Sequence, residues 1–410
     1  MNHPTKRPAR ASFIKRLLSA CFAFGLLATS AFAAFTVPGF ELVSSWPVET
    51  SLEPAGLRTA AQVWPEMIAS SKKTLDIAQF YVTNKLGEPL EPVISQLRKA
   101  GERGVRIRFI AERKMSPSSM EGFELLRTIP NLELRVIDFS AIKKDGIHHA
   151  KYFIVDGREA YMGSQNFDWR SLKHIHELGL RVEEPAIAAQ MSAIFEQDWK
   201  ACGLSRMGRP VARLNRSRPK ARADQRAYMV ASPWAFNPPG VGDSESELVR
   251  LLGTAKSEVL IQLLDYAPLT RKKKPYLPID TALRAAAARG VRVRLMVSHW
   301  NTESPAVDHL KNLSRVPNAE VRIVTIPEAK EGRIPFSRVI HSKYMVLDQK
   351  LLWLGTSNWS GGYMDNSRNL ELIVKDDALA KRARDIHAQL WDSPYAEPIE
   401  MSRKYPKPRR

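Results

Sequence analysis

Two cysteines, Cys21 and Cys202, are the whole thiol complement of this 410-residue chain. So sparse a set leaves no disulfide framework, and stability must come from a hydrophobic core, for which 44% apolar residues suffice. Acidic residues are also short, with 43 Asp and Glu against 62 Lys and Arg, a net charge of +19. That imbalance favours polyanionic partners, nucleic acid or an anionic lipid surface, without choosing between them. Long apolar runs are missing too. The stretch Leu17 to Ser30 is roughly 15 residues, below the about 20 that a membrane helix needs.

That short run has a different reading. Lys6, Arg7, Arg10, Lys15 and Arg16 precede it, and Ala31-Phe32-Ala33 follows as an A-x-A cleavage site, so residues 1–33 are expected to be a signal peptide. Removing them takes away five positive charges and no acids, leaving +14, and leaves Cys202 as the sole thiol. The expectation is an exported protein, periplasmic or secreted from a Gram-negative cell.

What the chain does have is a stretch that occurs twice. Ile147-His-His-Ala-Lys-Tyr-Phe-Ile-Val155 leads into Asp156-Gly157, a turn signal, and a second strand ends at Gly163-Ser-Gln-Asn166. The same spacings return in Ile340-His-Ser-Lys-Tyr-Met-Val-Leu-Asp348 and Gly355-Thr-Ser-Asn358. The offset is 192 at the histidines and 186 between Gly104 and Gly290, each inside a matching Arg-Gly-Val-Arg segment. Around the hairpins, strand and helix patterns alternate in the same order in both halves. This predicts a duplicated α/β protein with a largely parallel sheet in each half and antiparallel hairpin strands. The expected division is 34–205 for the first domain, with its motif near 144–171, and 227–400 for the second, with its motif near 336–363. Between them, residues 206–226 carry eight Arg or Lys and one acid, Asp224, and read as a basic linker or a substrate-facing strap. Residues 401–410 read as a disordered basic tail able to touch anionic membrane surfaces.

A single His-x-Lys hairpin would be weak evidence, since a histidine at a strand end is usually structural. Two matched copies in a pseudo-twofold pairing would instead place His149, His341, Lys151, Lys343, Asn166 and Asn358 in one site. On a strand, residues two apart share a face, so each histidine points with its lysine. Asp156 and Asp348 are five residues beyond the lysines, on the opposite face, and are read as turn anchors. A cationic site poor in carboxylates suits phosphoryl transfer. One neutral imidazole attacks phosphorus, and the other, protonated, donates to the leaving oxygen, while the lysines and asparagines stabilise the non-bridging oxygens. No metal and no cofactor is called for, because the lysines would repel a cation.

The pattern His-x-Lys-x4-Asp-x6-Gly-Ser/Thr-x-Asn, present twice, resembles the phospholipase D superfamily, over essentially the whole chain after residue 33. Gly163-Ser-Gln-Asn-Phe-Asp-Trp-Arg-Ser171, Lys343-Tyr-Met-Val346, Gly355-Thr-Ser-Asn-Trp-Ser-Gly361, Leu42-Val-Ser-Ser45 and Ile334-Pro-Phe-Ser-Arg-Val339 are similar to the branch holding the animal lysosomal 5′-exonucleases and the poxvirus envelope phospholipases. The resemblance implies two tandem α/β/α sandwich domains in pseudo-twofold arrangement sharing one active site. It also implies a metal-independent phosphodiesterase working through a phosphohistidine on His149, with His341 as acid and then base. Ser164, Thr356, Asp156 and Asp348 are supporting positions of the motif. Glu177 matches a family glutamate that orients the nucleophilic histidine, which makes it the expected partner of His149; its counterpart at +192 is Asn369. The expected substrate is single-stranded nucleic acid, with phospholipid head groups as the alternative and non-catalytic binding of nucleic acid or membranes as the alternative of another class. Phe80, Tyr81, Tyr266 and Trp300, near strand ends, are candidates for stacking on bases, and Arg271 to Lys274 for gripping phosphates.

Overall fold

The structure, a computed structural model, describes Met1 and residues 34–410. The expected signal segment, Met1 apart, lies outside the described residues. In the first half the main elements are β1 (Phe40–Ser45), α1 (Ala60–Ser70), β2 (Thr74–Gln79), α2 (Leu90–Glu102), β3 (Arg106–Glu112), α3 (Ser116–Arg127), β4 (Leu132–Ile137), β5 (Tyr152–Val155), β6 (Glu159–Gly163), β7 (Glu177–Val182) and α4 (Pro185–Arg206). The second half repeats them as β8 (Ala227–Ser232), α5 (Ser244–Thr254), β9 (Glu258–Leu263), α6 (Pro278–Ala288), β10 (Arg292–Ser298), α7 (Ala306–Ser314), β11 (Ala319–Val324), β12 (Tyr344–Leu347), β13 (Leu351–Gly355), β14 (Asn369–Lys375) and α8 (Asp377–Trp391).

Two nine-stranded sheets result, and their central orders are the same. The first runs β1-β7-β6-β5-β2-β3-β4 and the second β8-β14-β13-β12-β9-β10-β11. Among these strands only β2, β3 and β4, and their counterparts, pair in parallel; the hairpin strands and β1 with β7 pair antiparallel. The expectation of a largely parallel sheet is therefore corrected to a mixed one. The hairpin is not an appendage at an edge but sits mid-sheet, and four of the six central pairings in this half are antiparallel.

Period-2 alternation then sorts side chains between layers. On β5, Tyr152 and Ile154 face a central core with α4 and α8, while Phe153 and Val155 face an outer core with α1, α2 and α3. In the second half Tyr344 and Val346 join that same central core, and Met345 and Leu347 pack outward with α5, α6 and α7. The two sheets thus share one inner layer of two helices. Each helix comes from the C-terminal end of its half, which places the starts of both hairpins at a common seam.

Candidate active site

The seam is built by backbone pairing between halves. Ahead of β5, His148 bridges Arg368, with His149 N–H donating to Arg368 O at 2.9 Å and Arg368 N–H to Ile147 O at 2.9 Å. Ahead of β12 the mirror contact forms: His176 N–H donates to Val339 O at 2.9 Å, and His341 N–H to His176 O at 2.8 Å. Each histidine segment therefore lies beside the residue that opens the other half's last strand.

This register decides who orients whom. His341 Nδ1 lies 2.9 Å from Glu177 Oε2 and 3.0 Å from Oε1, while His149 Nδ1 lies 3.0 Å from Asn369 Oδ1. The expectation that Glu177 partners His149 is corrected: each half lends its orienting residue to the other half's histidine. Sequence spacing located Glu177 and Asn369 as counterparts but held no information on the crossing. The Asn369 amide is fixed by its neighbours, since Oδ1 also accepts from Thr356 Oγ1 at 3.0 Å and Nδ2 donates to Tyr363 O at 3.1 Å. Both imidazoles thus meet an acceptor at Nδ1, which places the proton there and leaves Nε2 as the free ring nitrogen. Ser171 Oγ donates to Glu177 Oε1 at 2.9 Å, and Ser164 Oγ clamps β7 by accepting from Leu178 N–H at 3.1 Å.

The lysines are held as tightly. Lys151 Nζ donates to His149 O at 2.7 Å and Lys343 Nζ donates to His341 O, and each side chain is 1% exposed. Burial pushes both ammoniums down: Lys343 falls to about 7 despite Glu177 and Asp265, and Lys151 falls well below its ordinary value, with Lys343 adding to the effect. Burial likewise drives His149 well below the ordinary imidazole range, reinforced by Lys151 and Lys343, against which it has only the neutral Asn369 amide. At His341 burial dominates too, but the Glu177 carboxylate opposes it, and the ring sits at about 4. Burial acts to raise Glu177, yet His341, Lys343 and Ser164 together hold it below the usual carboxylate value, so it is ionised at neutral pH. The two histidines differ in kind: one is backed by an anion, the other by an amide.

His149, His341, Asn166 and Asn358 line one cavity of about 350 Å3. Asn358 Nδ2 is buried without a hydrogen-bond partner among the described residues, as expected of a donor that meets a phosphate oxygen, and Asn166 Oδ1 is also unpartnered among them. Phe80, Tyr81 and Trp300 line the walls, joined by Phe336 and Tyr363. Phe80 and Tyr363 both meet the His149 ring edge-on, at 4.9 and 5.0 Å. One acid shares the cavity. Asp265 has its carboxyl raised by burial, and its N–H donates to Asn358 Oδ1 at 3.3 Å. Its position, just past β9, gave no sequence signal beyond lying at a strand end.

Other expected residues fall elsewhere. Asp156 accepts from the N–H groups of Lys72, Lys73 and Thr74 at 2.7 to 3.0 Å, and Asp348 from those of Lys256, Ser257 and Glu258 at 2.8 to 3.3 Å; both have positive φ in the hairpin turn. They tie the turn to the start of the neighbouring strand and take no part in the cavity. Tyr266 is not a stacking surface: it is buried in the outer core with its hydroxyl donating to Asp280 at 2.6 Å. Arg271 stacks over Tyr363 at 5.5 Å and donates to Ser367 Oγ at 3.1 Å, so it props the cavity wall. The basic linker is latched to the surface, Arg218 on Asp243 at 2.6 Å and Arg226 on Asp376 at 2.8 Å, and contributes nothing to the cavity lining. The tail is not loose. Lys311 Nζ donates to Met401 O and Arg403 O, Tyr405 packs on the second half's outer core, and Arg410 reaches the catalytic cavity with its guanidinium 5.8 Å from the Trp300 ring. The expected disorder missed Tyr405 as an apolar anchor among charges.

Among the described residues, no three His, Cys, Asp or Glu side chains are grouped to hold a metal ion, and no helix is long and apolar enough to cross a membrane. Two imidazoles and two carboxamides facing one cavity, with a buried lysine behind each histidine, suit a phosphodiesterase site. The comparisons agree. A family model described as "Cardiolipin synthase, PLD-like domain" matches residues 65–199 and 248–391, one match in each half. The chain is 31% identical over 386 residues to phospholipase D Z of Dictyostelium discoideum, covering 88% of this chain and 90% of that one. It is 32% identical over 381 residues to the 5′-3′ exonuclease PLD3 of Xenopus laevis, covering 82% and 75%. The solved phosphatidylserine synthase of Haemophilus influenzae has the same fold, with a TM-score of 0.61 at 13% identity over 83% of this chain and 85% of that one. The protein belongs to the phospholipase D superfamily, in the branch that includes the PLD3 exonucleases, and is a phosphodiesterase.

Proposed function

We propose that this protein is exported and cleaves single-stranded nucleic acid, removing nucleotides from the 5′ end through a phosphohistidine. The observation that carries the mechanism is the unequal pair: His149 against a neutral amide and His341 against an ionised carboxylate, both facing one cavity. An uncharged imidazole is the nucleophile, and an imidazolium is best kept next to an anion. His149 Nε2 attacks phosphorus and forms the N–P bond as the P–O bond to the leaving group breaks. His341 Nε2–H gives its proton to that oxygen. His341 then takes a proton from water, the resulting hydroxide attacks phosphorus, and the N–P bond breaks to free His149. Lys151, Lys343, Asn166 and Asn358 bear the charge on the non-bridging oxygens throughout.

If the family's glutamate-bonded histidine were instead the nucleophile, His341 would carry the phosphate. The unequal partners favour His149: burial lowers both rings, but only at His341 does a carboxylate, Glu177, oppose it and support the protonated form. The substrate choice rests on aromatic walls suited to stacking bases, on the charge of +14 after residue 33, and on the relatives named 5′-3′ exonuclease. Relatives named phospholipase D support the second reading, hydrolysis of phospholipid head groups at the same site. Incubating the protein in EDTA with 5′-labelled single-stranded oligonucleotide, and separately with phosphatidylcholine micelles, separates the two, with His149→Ala as control. Stepwise nucleotide release without choline release is expected. Choline release alone would reject the nuclease reading.

A further inference from the structure

A second cavity of about 320 Å3 adjoins the catalytic one and shares Phe336 and Arg410 with it. Four guanidiniums line it, Arg333, Arg338, Arg409 and Arg410, with Glu328 as the one acidic side chain, and Arg333 Nη2 already donates to Arg410 O. Three of these arginines are exposed, but Arg338 is 5% exposed. Its Nε donates to Pro327 O at 2.6 Å and its Nη1 to Val48 O at 2.8 Å, while Nη2 has no hydrogen-bond partner among the described residues. A buried cation held by two carbonyls with an unused donor is costly unless an anion completes it. Burial accordingly pushes its guanidinium below the ordinary arginine range, with Glu49 acting on it only through space. Arg410 is partly committed, its Nη2 lying 3.7 Å from Glu303. The backbone of Arg338 has φ +56°, and that of Phe336 has φ +58°, conformations that L residues adopt only when the surroundings impose them.

From this geometry we infer that the cavity around Arg338 is a second phosphate subsite, taking the backbone phosphate next to the scissile one in a single-stranded nucleic acid. The inference rests on the nuclease reading above. Phe336 stands between the two cavities, 56% exposed, meeting Trp300 edge-on at 6.4 Å and Arg170 at 6.0 Å. A base stacked on this aromatic partition leaves one flanking phosphate at the histidines and the other at the arginines. A diester with a single phosphate cannot fill both places, so the subsite selects polynucleotide over a dinucleotide and over a simple phospholipid.

The test compares kcat/KM for an oligothymidylate octamer with that for thymidylyl-thymidine, which carries one phosphate. The wild type should prefer the octamer by at least about tenfold, the worth of one charge-assisted hydrogen bond to phosphate. Arg333→Ala/Arg409→Ala and, separately, Arg338→Met should shrink that ratio by about tenfold, and the slope of log(1/KM) against log salt should become shallower by about 0.7 for each phosphate that is no longer neutralised. The double variant changes only exposed side chains, so it stays informative should Arg338→Met fail to fold. Equal cleavage of octamer and dimer by the wild type, or an unchanged ratio in both variants, would overturn the subsite while leaving the nuclease reading intact. Phosphatidylcholine hydrolysis with no oligonucleotide cleavage would overturn both.

Discussion

Glutamine at position 177 tests the cross-half pairing most sharply. Glu177 is fully buried, 2.9 Å from His341 Nδ1, and Glu177→Gln keeps the shape of the contact while removing its charge. A hydrogen bond to a charged group contributes about 1.5–3 kcal/mol and a neutral one about 1, so the imidazolium of His341 loses on the order of 1–2 kcal/mol. Loss of the anion also withdraws what holds Lys343 up at about 7, lowering the charge that faces the phosphate. Together these should cut kcat on a 5′-hydroxyl oligonucleotide by about 10–100-fold near pH 5. A p-nitrophenyl phosphodiester, whose leaving group needs no proton, should lose much less, about threefold, through Lys343 alone. Parallel rates on the two substrates for wild type and variant give the answer. Equal losses on both would refute the assignment of Glu177 to the acid-base histidine, and an unchanged oligonucleotide rate would refute the pairing altogether.

Other consequences can be checked independently. Because the ammonium of Lys343 is the useful form and its value is about 7, kcat/KM should fall as pH rises through about 7, measured on the p-nitrophenyl diester. Asn369→Asp should put an anion against His149, raise its pKa and move the acidic limb of the same profile upward, slowing the enzyme most at low pH. Acid-quenched reactions digested and mapped by mass spectrometry should carry phosphate on the peptide containing His149, and His341→Ala should accumulate that adduct with a p-nitrophenyl substrate; a phosphate on His341 would reverse the roles. Asp156→Ala should lower the urea midpoint, at a cost of about 1–3 kcal/mol for unpaired backbone N–H groups, with KM unchanged. Stability should also fall on acidification: buried His176 and His387 have folded values of about 4 and about 3, below the unfolded value, so the unfolded chain binds more protons below about pH 6.5. Each then costs about 2 kcal/mol at pH 5. Glu371, raised by burial to about 7, works the other way, its contribution being lost as pH rises through 7. Urea midpoints at pH 7 and pH 5 measure the net.

Much of the architecture was legible because duplication makes a pattern testable against itself. The repeated hairpin, the matched Arg-Gly-Val-Arg strands and the alternating strand and helix patterns made the two halves legible as copies of one α/β unit. The tail escaped for a related reason: a single tyrosine among charges does not register as an anchor until there is a surface for it to dock on. Local chemistry settled the placement of Asp156 and Asp348, since a side chain five residues from the lysine on the opposite face cannot reach a phosphate held beside it.

How the halves meet was left to tertiary packing. Sequence alone determined that there are two histidine motifs, that each pairs with a lysine and an asparagine, and that Glu177 and Asn369 occupy equivalent places in the repeat. It could not determine that these two residues cross over. That outcome depends on hydrogen bonds at His148–Arg368 and His176–Ile340, between segments nearly half the chain apart, formed only once both sheets lie against one helical layer. The same packing buries the lysines, and burial rather than composition sets their low pKa values, because removing water penalises charge wherever the chain supplies it.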